Sequence, residues 1–250
     1  MKLLLTGMVL ACLTSFLFSA CQKTVTVTNT VTDTVTNQVT DTLNLKDTLI
    51  RTLVLQPGPD EGQNCIVNSS SIYAALNINS NPDINASTWT YNSLGGTDGI
   101  GRTYIKFIGL DGMPDSAIIL SAKLSLFGIS VGTAAPQGNS GYPGSPYSTD
   151  NQCWLKRVTA DWNPDSLTWN NAPATTDANE VSVSASTAQW NYDATDIDVT
   201  SLINGMLDNQ NYGFAMVLET EQDYRSLSFA SCKVSDSTKW PKLVVTYKLH

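Results

Sequence analysis

The 250-residue sequence contains a single histidine, and that histidine is the terminal residue His250. A Ser-His-Asp triad, a Cys-His pair or a histidine-based zinc site needs an imidazole in a well-ordered position, so none of these sites is expected. The sequence also has no CxxC pair, no glycine-rich phosphate loop with its lysine and no DxDxDG calcium loop. The sequence therefore predicts a binding protein rather than an enzyme, with no cofactor. A structural calcium ion has no supporting motif.

Basic residues are scarce, with 14 Lys and Arg against 22 Asp and Glu, which gives a net charge of −8. The basic residues form no cluster along the chain. Nucleic acid and anionic lipid both attract basic surfaces, so neither is an expected partner.

Residues 1–20 have the features of an export signal. Lys2 provides a short positive start, residues 3–20 are almost continuously apolar or small, and the stretch ends on the run LFSAC. Small residues before Cys21 resemble a bacterial lipoprotein signal, which predicts cleavage before Cys21 and lipid on its thiol. The alternative is an ordinary signal peptide in which Cys21 is incidental. We therefore expect an exported envelope protein, anchored to the outer membrane by lipid alone.

Residues 21–52 form a threonine-rich segment with valine or leucine at every fourth position from Val27 to Leu43. A period of four places these side chains on one side of an extended strand, and threonine favours extended chain over helix. The segment is interpreted as an extended stalk or, as an alternative, a disordered linker. Residues 53–250 then form the folded domain.

The folded domain consists of short apolar runs separated by Gly, Pro, Asn and Asp, which predicts an all-β sandwich. The clearest run covers residues 118–127, with Ile118, Leu120, Ala122, Leu124 and Leu126 expected on the core face. One helix of about two turns is predicted in DVTSLINGMLDNQNYG, capped by Thr200 or Ser201. Its apolar face is expected to carry Leu202, Ile203, Met206 and Leu207.

Three cysteines, Cys65, Cys153 and Cys232, remain in the folded domain. At most one pair of them can form a disulfide, and the spacing does not identify that pair.

Several segments follow one another in the order found in a known family: RVTADWNPDSLTWNNAP (157–173), IDVTSLINGML (197–207), NYGFAMVLE (211–219) and FASCKVSDSTKWPKLVVTY (229–247). This series resembles the DNRLRE domain, which is classed with carbohydrate-binding module family 96 and is similar to disaggregatase-related repeats. The resemblance implies a jelly-roll β-sandwich that binds polysaccharide. The sequence differs from the family pattern at Cys65 and Lys233, where acidic residues are usual. Both differences remove candidate oxygen ligands for calcium.

Sugars rest their apolar C–H faces on aromatic rings and offer hydroxyls to polar groups. Trp162 and Trp169 lie in the family motif and are expected to brace its loop. The predicted ligand-binding residues are aromatic residues outside that motif and two arginines suited to acidic sugars: Trp89, Tyr91, Tyr142, Tyr147, Arg102 and Arg225.

The predicted function is non-catalytic binding of a polysaccharide, with an acidic polysaccharide among the candidates because of the two arginines. A structural or adhesive surface protein is the first alternative. A hydrolase that uses two carboxylates is the second.

Overall fold

Two antiparallel β-sheets pack against each other in the computed structural model, which describes residues 49–129, 151–188 and 191–249. These residues form eleven strands: β1 (Ile50–Leu55), β2 (Gln63–Asn68), β3 (Asp83–Trp89), β4 (Gly99–Lys106), β5 (Ala117–Leu126), β6 (Cys153–Val158), β7 (Thr175–Val183), β8 (Ala194–Asp198), β9 (Phe214–Leu218), β10 (Arg225–Ala230) and β11 (Lys242–Leu249). The one α-helix of the described residues is α1 (Thr200–Leu207). No helix in the described ranges is long and apolar enough to span a membrane.

The smaller sheet has the order β1-β11-β5-β8, which places the first strand beside the last. The larger sheet has the order β10-β3-β4-β9-β6-β7, and β2 pairs with the free side of β4. Neighbouring strands that are distant in sequence are usual in antiparallel β-sandwiches. The predicted all-β sandwich with one short helix is therefore confirmed.

The main core lies between the two sheets. Leu124 of β5 and Val245 of β11 pack there against Phe214 of β9 and Phe229 of β10, and all four are buried. Full burial of such side chains stabilises the fold by about 1.5–3 kcal/mol each. This core fixes the orientation of the strands that build the site described below.

The predicted core face of β5 is correct only for its second half. Ala122, Leu124 and Leu126 are buried, but Ile118 and Leu120 are exposed. The register with β11 shifts between Thr246 and Tyr247, so that Ser121 pairs with Thr246 and Ile119 pairs with Tyr247. The shift leaves one extra residue on β5, as in a β-bulge. The side chains that precede the extra residue therefore face the opposite side of the sheet from the side that simple alternation predicts.

The helix lies where the sequence predicts it, with two differences. Its N-cap is Val199, and Asp198 Oδ1 accepts the backbone N–H of Thr200 at 3.1 Å, so neither Thr200 nor Ser201 caps the helix. Leu202, Ile203 and Met206 are buried as predicted, but Leu207 is exposed because it follows the last buried turn. The Lys123 ammonium and the Thr200 hydroxyl and amide lower the pKa of the Asp198 carboxyl.

Cys65, Cys153 and Cys232 are buried free thiols, so none of the possible pairs forms a disulfide. Burial raises the pKa of the Cys65 thiol to about 11, which keeps it protonated and unreactive at neutral pH.

The compact unit that contains all described residues spans Lys46–His250. Its first strand starts at Ile50, inside the segment predicted as stalk. The structure does not describe residues 1–48, which contain the predicted signal (1–20), Cys21 and most of the predicted stalk.

Candidate functional site

A groove of about 530 Å³ opens between β2, the segment 73–81 and the outward face of β3. Its volume falls within the range of roughly 300–1,000 Å³ that is usual for small-molecule sites. We call it the β3 groove. Its lining combines aromatic, apolar and polar side chains: Tyr73, Trp89, Tyr91, Ile66, Leu76, Ile78, Asn68, Asn77, Asn81, Asp83, Asn85, Ser87 and Ser226.

Strand β3 supplies the polar floor of the groove because its sequence, DINASTW, alternates in character. Successive side chains of a strand point to opposite faces. Ile84 and Ala86 therefore pack in the main core, while Asp83, Asn85 and Ser87 line the groove.

Hydrogen bonds fix the side chains of this floor in one arrangement. Asn85 Nδ2 donates to Asp83 Oδ2 at 3.1 Å, and Ser87 Oγ donates to Asn85 Oδ1 at 3.0 Å. The hydroxyl of Thr103 accepts the Asn85 backbone N–H at 2.8 Å and donates to the Asn85 carbonyl at 2.7 Å. A ligand therefore meets polar groups that are already oriented, which lowers the entropy cost of binding.

Aromatic rings gather at one end of the β3 groove. Tyr73 and Tyr91 meet edge to face with their centroids 5.1 Å apart, and Trp89 meets Tyr224 in the same manner at 5.4 Å. Asn68 Nδ2 donates to the Tyr91 hydroxyl at 3.0 Å. Burial raises the pKa of Tyr91, so its phenol stays protonated at neutral pH.

Two glycines of β4 make room for this arrangement. A Cβ at Gly101 would lie 2.5 Å from Ser87 Oγ, and one at Gly99 would lie 2.8 Å from Cε2 of Tyr91. Any larger residue at these positions would displace the groove side chains. The two glycines of β4 therefore leave the space that the groove side chains occupy.

A second aromatic region, the tryptophan loop (residues 159–174), covers the other face of the larger sheet. Trp162 is buried there beside Tyr104, with ring centroids 5.8 Å apart, and its Nε1 donates to the carbonyl of Tyr212 at 2.8 Å. Its apolar neighbours are Cys65, Val67, Val158, Leu167, Ala215 and Val217. The geometry is that of a second small core.

The sequence pattern of carbohydrate-binding module family 96 matches residues 67–247, which include the tryptophan loop and all of the groove lining except Ile66. The chain belongs to this family. No curated protein sequence matches it. Membership makes carbohydrate the expected ligand of the chain, and modules of this kind are typically non-catalytic.

Two of the ligand residues predicted for this family-96 member line the β3 groove, namely Trp89 and Tyr91. Tyr142 and Tyr147 lie outside the described residues. The structure thus brings together two of the four predicted aromatic residues at one site.

Neither predicted arginine lines the groove. Arg102 lies against the tryptophan loop, where its Nε and Nη2 donate to Glu221 Oε1 at 2.9 and 2.7 Å and its guanidinium stands 5.1 Å from the Trp169 ring centroid. Arg225 is only 8% exposed and is the register partner of Thr88, whose neighbours Ser87 and Trp89 face the groove. Alternation along β3 and β10 directs Arg225 to the opposite side.

Most polar residues of the groove are not predicted by the sequence reasoning. They are Asn68, Asn77, Asn81, Asp83, Asn85, Ser87 and Ser226. The available signal is the polar and aromatic set at 83, 85, 87 and 89, which a strand of period two places on one face.

The described residues contain no group of three or more His, Cys, Asp or Glu side chains that could hold a metal ion. Asp83 is the single carboxylate among the groove-lining residues. Glycoside hydrolysis by the usual mechanisms needs a pair of carboxyl groups. The arrangement can therefore hold and orient a sugar, and its described lining supplies one carboxyl group of such a pair.

Proposed function

We propose that this chain is a polysaccharide-binding protein of the cell envelope and that the β3 groove binds the glycan without cleaving it. The observation that carries the proposal is the joint lining of the groove by Tyr73, Trp89 and Tyr91 and by the fixed Asp83–Asn85–Ser87 row. Aromatic rings contact the apolar C–H faces of a sugar, and the partly exposed Asn85 amide, which the row holds in place, hydrogen-bonds its hydroxyls. Family membership supports the same conclusion.

Glycan retention tests this proposal directly. The full chain, purified in a non-glycosidic detergent, is passed over immobilised neutral and acidic polysaccharides and compared with the variant Asn85→Leu. Asn85 is the partly exposed member of the polar row, so its replacement by an apolar side chain removes hydrogen bonds to a bound sugar and is expected to weaken retention about tenfold. The matched control is Asn170→Leu, an exposed asparagine outside the groove. Equal retention of both variants would contradict the proposal, as would no retention of the unmodified chain.

We further propose that the chain is exported and anchored by lipid on Cys21. The support is the sequence of residues 1–21, since several acyl chains hold a protein at a membrane by about 0.8 kcal/mol per buried CH₂. Cys21→Ser is expected to move the protein from the membrane fraction to the soluble fraction. The mass of the N-terminal peptide shows whether acyl chains are present. An unmodified Cys21 would reject the anchor and leave the glycan proposal intact.

A second candidate function, adhesion through protein contact, is favoured by the outer face of the smaller sheet. Ile50 and Ile118 are both register partners of Lys248 and are 62% and 38% exposed, and Val54 on the same face is 57% exposed. An apolar surface of this kind marks a contact site in many proteins. If it mediates association, Val54→Lys is expected to reduce the mass measured by analytical ultracentrifugation, with glycan retention unchanged.

A further inference from the structure

We infer that the free edge of β1 pairs antiparallel with β1 of a second copy of this chain, so that the two smaller sheets join into one. The inference rests on the protein contact proposed for the outer face of this sheet and names its partner, but it does not depend on glycan binding. Among the described residues, β1 pairs with β11 alone, so the N–H and C=O groups on its other side have no strand beside them. Such an edge is a template for a further strand.

Two other sheet edges carry features that prevent pairing of this kind. Strand β8 has five residues, contains Asp196 and Asp198, and shifts its register against β5. Strand β7 contains Asp177 and Glu180 and shifts its register against β6. Charged residues and bulges are the usual protection of an edge strand against another chain.

The edges of β10 and β2 are covered, whereas the edge of β1 is regular and accessible. All six residues of β10 are buried, and Ile78 bridges to Ile66 on β2. Strand β1 keeps six consecutive pairs with β11 without a register shift, and four of its six residues are exposed. It contains no proline, and Arg51 is its single charged residue. Of the described strands, β1 is therefore the one suited to pair with another chain.

The sequence LIRTLVL (residues 49–55) makes this edge complementary to itself, because its apolar pattern is nearly palindromic about Thr52. Antiparallel pairing of two copies about Thr52 gives these opposed positions: Leu49 with Leu55, Ile50 with Val54, Arg51 with Leu53, and Thr52 with its own copy. The apolar residues at the start of one strand thus meet those at the end of the other. A two-fold symmetric contact needs this self-complementarity, and apolar and Thr–Thr cross-strand pairs stabilise antiparallel sheets.

The apolar side chains that this pairing would cover are exposed in the single chain. Leu49, Ile50 and Val54 are 55%, 62% and 57% exposed. A cleft of about 760 Å³ opens at the end of β1, and its lining includes Val54, Leu55 and Ile108. Leu49 of the second copy would lie opposite Leu55, beside this cleft. Removal of these side chains from water favours association.

Site-specific cross-linking tests the pairing directly. Thr52 is exposed and lies on the proposed two-fold axis, so Thr52→Cys places two thiols on opposed residues, whose Cα atoms are about 4.5–5.5 Å apart in antiparallel strands. This distance permits a disulfide. The full chain also carries Cys21→Ser, which removes that thiol and any lipid it carries. Mild oxidation is expected to give a covalent dimer. Ser93→Cys, at an exposed position outside the smaller sheet, is the matched control and is expected to stay monomeric.

Exchange of charges tests whether the partner is a second copy. Ile50 lies opposite Val54 twice in the symmetric pair, so Ile50→Lys alone and Val54→Glu alone are each expected to weaken dimerisation at least about tenfold in sedimentation equilibrium. The variant with both changes places lysine opposite glutamate at both positions, and is expected to recover at least about threefold of the lost affinity. Leu94→Lys is the control, because Leu94 is 63% exposed and lies outside the smaller sheet.

The outcomes separate edge pairing from contact through the outer face. Cross-linking of Thr52→Cys above the control, with recovery in the double variant, would support the inference. Weaker association of Ile50→Lys without cross-linking of Thr52→Cys would overturn edge pairing and leave contact through the apolar face standing. A monomeric unmodified chain, or association that Ile50→Lys does not weaken, would overturn both. Glycan retention is expected to be the same in all these variants, because β1 contributes no lining residue to the β3 groove.

Discussion

The larger sheet carries aromatic clusters on two sides, and they differ in what surrounds the rings. In the tryptophan loop, Trp162 is 8% exposed, packs against Tyr104 and donates its Nε1–H to a backbone carbonyl. In the β3 groove, Trp89 and Tyr91 are partly exposed and share the site with asparagine, aspartate and serine. One cluster has satisfied its polar atoms and excluded water. The other leaves its rings and the Asn85 side chain partly exposed at an open groove.

The difference shows that an aromatic residue acquires its role from its neighbours. Val67 and Tyr104 belong with Trp162 to the second core, whereas the strand positions Ile66 and Asn68, on either side of Val67, line the groove. A single strand, β2, thus contributes alternate residues to a core on one face and to a groove on the other. Substitutions in the two clusters are therefore expected to affect different properties.

The largest effect is expected from Trp162→Ala. The change removes a buried ring and the hydrogen bond to the carbonyl of Tyr212, so the free energy of unfolding is expected to fall by about 3–5 kcal/mol. Urea denaturation followed by circular dichroism measures this loss. Molecules that remain folded are expected to retain glycan. A loss below about 1 kcal/mol would show that the loop does not brace the sheet.

The opposite pattern is expected from Trp89→Ala, with a loss of glycan affinity and little loss of stability. Aromatic anchors of binding sites often contribute about 2 kcal/mol or more, so the affinity for glycan is expected to fall at least about thirtyfold. Titration calorimetry with the retained polysaccharide measures the change. The free energy of unfolding is expected to change much less than in Trp162→Ala, because Trp89 is partly exposed. Unchanged affinity would show that Trp89 does not bind the glycan, and the two aromatic clusters would then not differ in function as proposed.

The sequence predicts the sandwich and the single helix because its short apolar runs and turn residues are local signals. It also separates Trp162 and Trp169, which lie in a motif, from Trp89, and the structure places the first two at the second core and Trp89 in the groove lining. The bulge in β5 has no local signal. Ile118 and Leu120 continue the apolar alternation of the strand, and only the pairing with β11 turns them outward.

The groove was predictable in part. Trp89 and Tyr91 are predicted as ligand residues, and the alternation of β3 would have added Asp83, Asn85 and Ser87. Ser226 belongs to β10, far from β3 in sequence, and Asn68 belongs to β2, which does not pair with β3, so only the tertiary fold places them beside it. The sequence does not reveal which face of a strand opens onto the groove. It therefore could not show that Arg102 and Arg225 lie away from the groove.

A smaller effect is expected from Tyr91→Phe. The variant keeps the ring and its contact with Tyr73 but leaves Asn68 Nδ2 without its acceptor, a loss of about 1 kcal/mol. If the hydroxyl acts only on Asn68, stability falls by this amount and affinity changes little. If it also donates to the sugar, affinity falls about fivefold. Parallel calorimetry and denaturation of Tyr91→Phe and Tyr73→Phe distinguish the two results.

The smallest effect is expected from Arg102→Ala. The guanidinium pairs with Glu221 and faces the Trp169 ring, but the side chains of Arg102 and Glu221 are 31% and 24% exposed. Partly exposed pairs of this kind contribute at most about 1 kcal/mol, and salt screens them. We therefore expect a small loss of stability at low salt, a smaller one at high salt, and no change in glycan affinity. A tenfold loss of affinity would instead place the ligand on the tryptophan loop, because Arg102 touches that face and not the groove. The roles of the two aromatic clusters would then be exchanged.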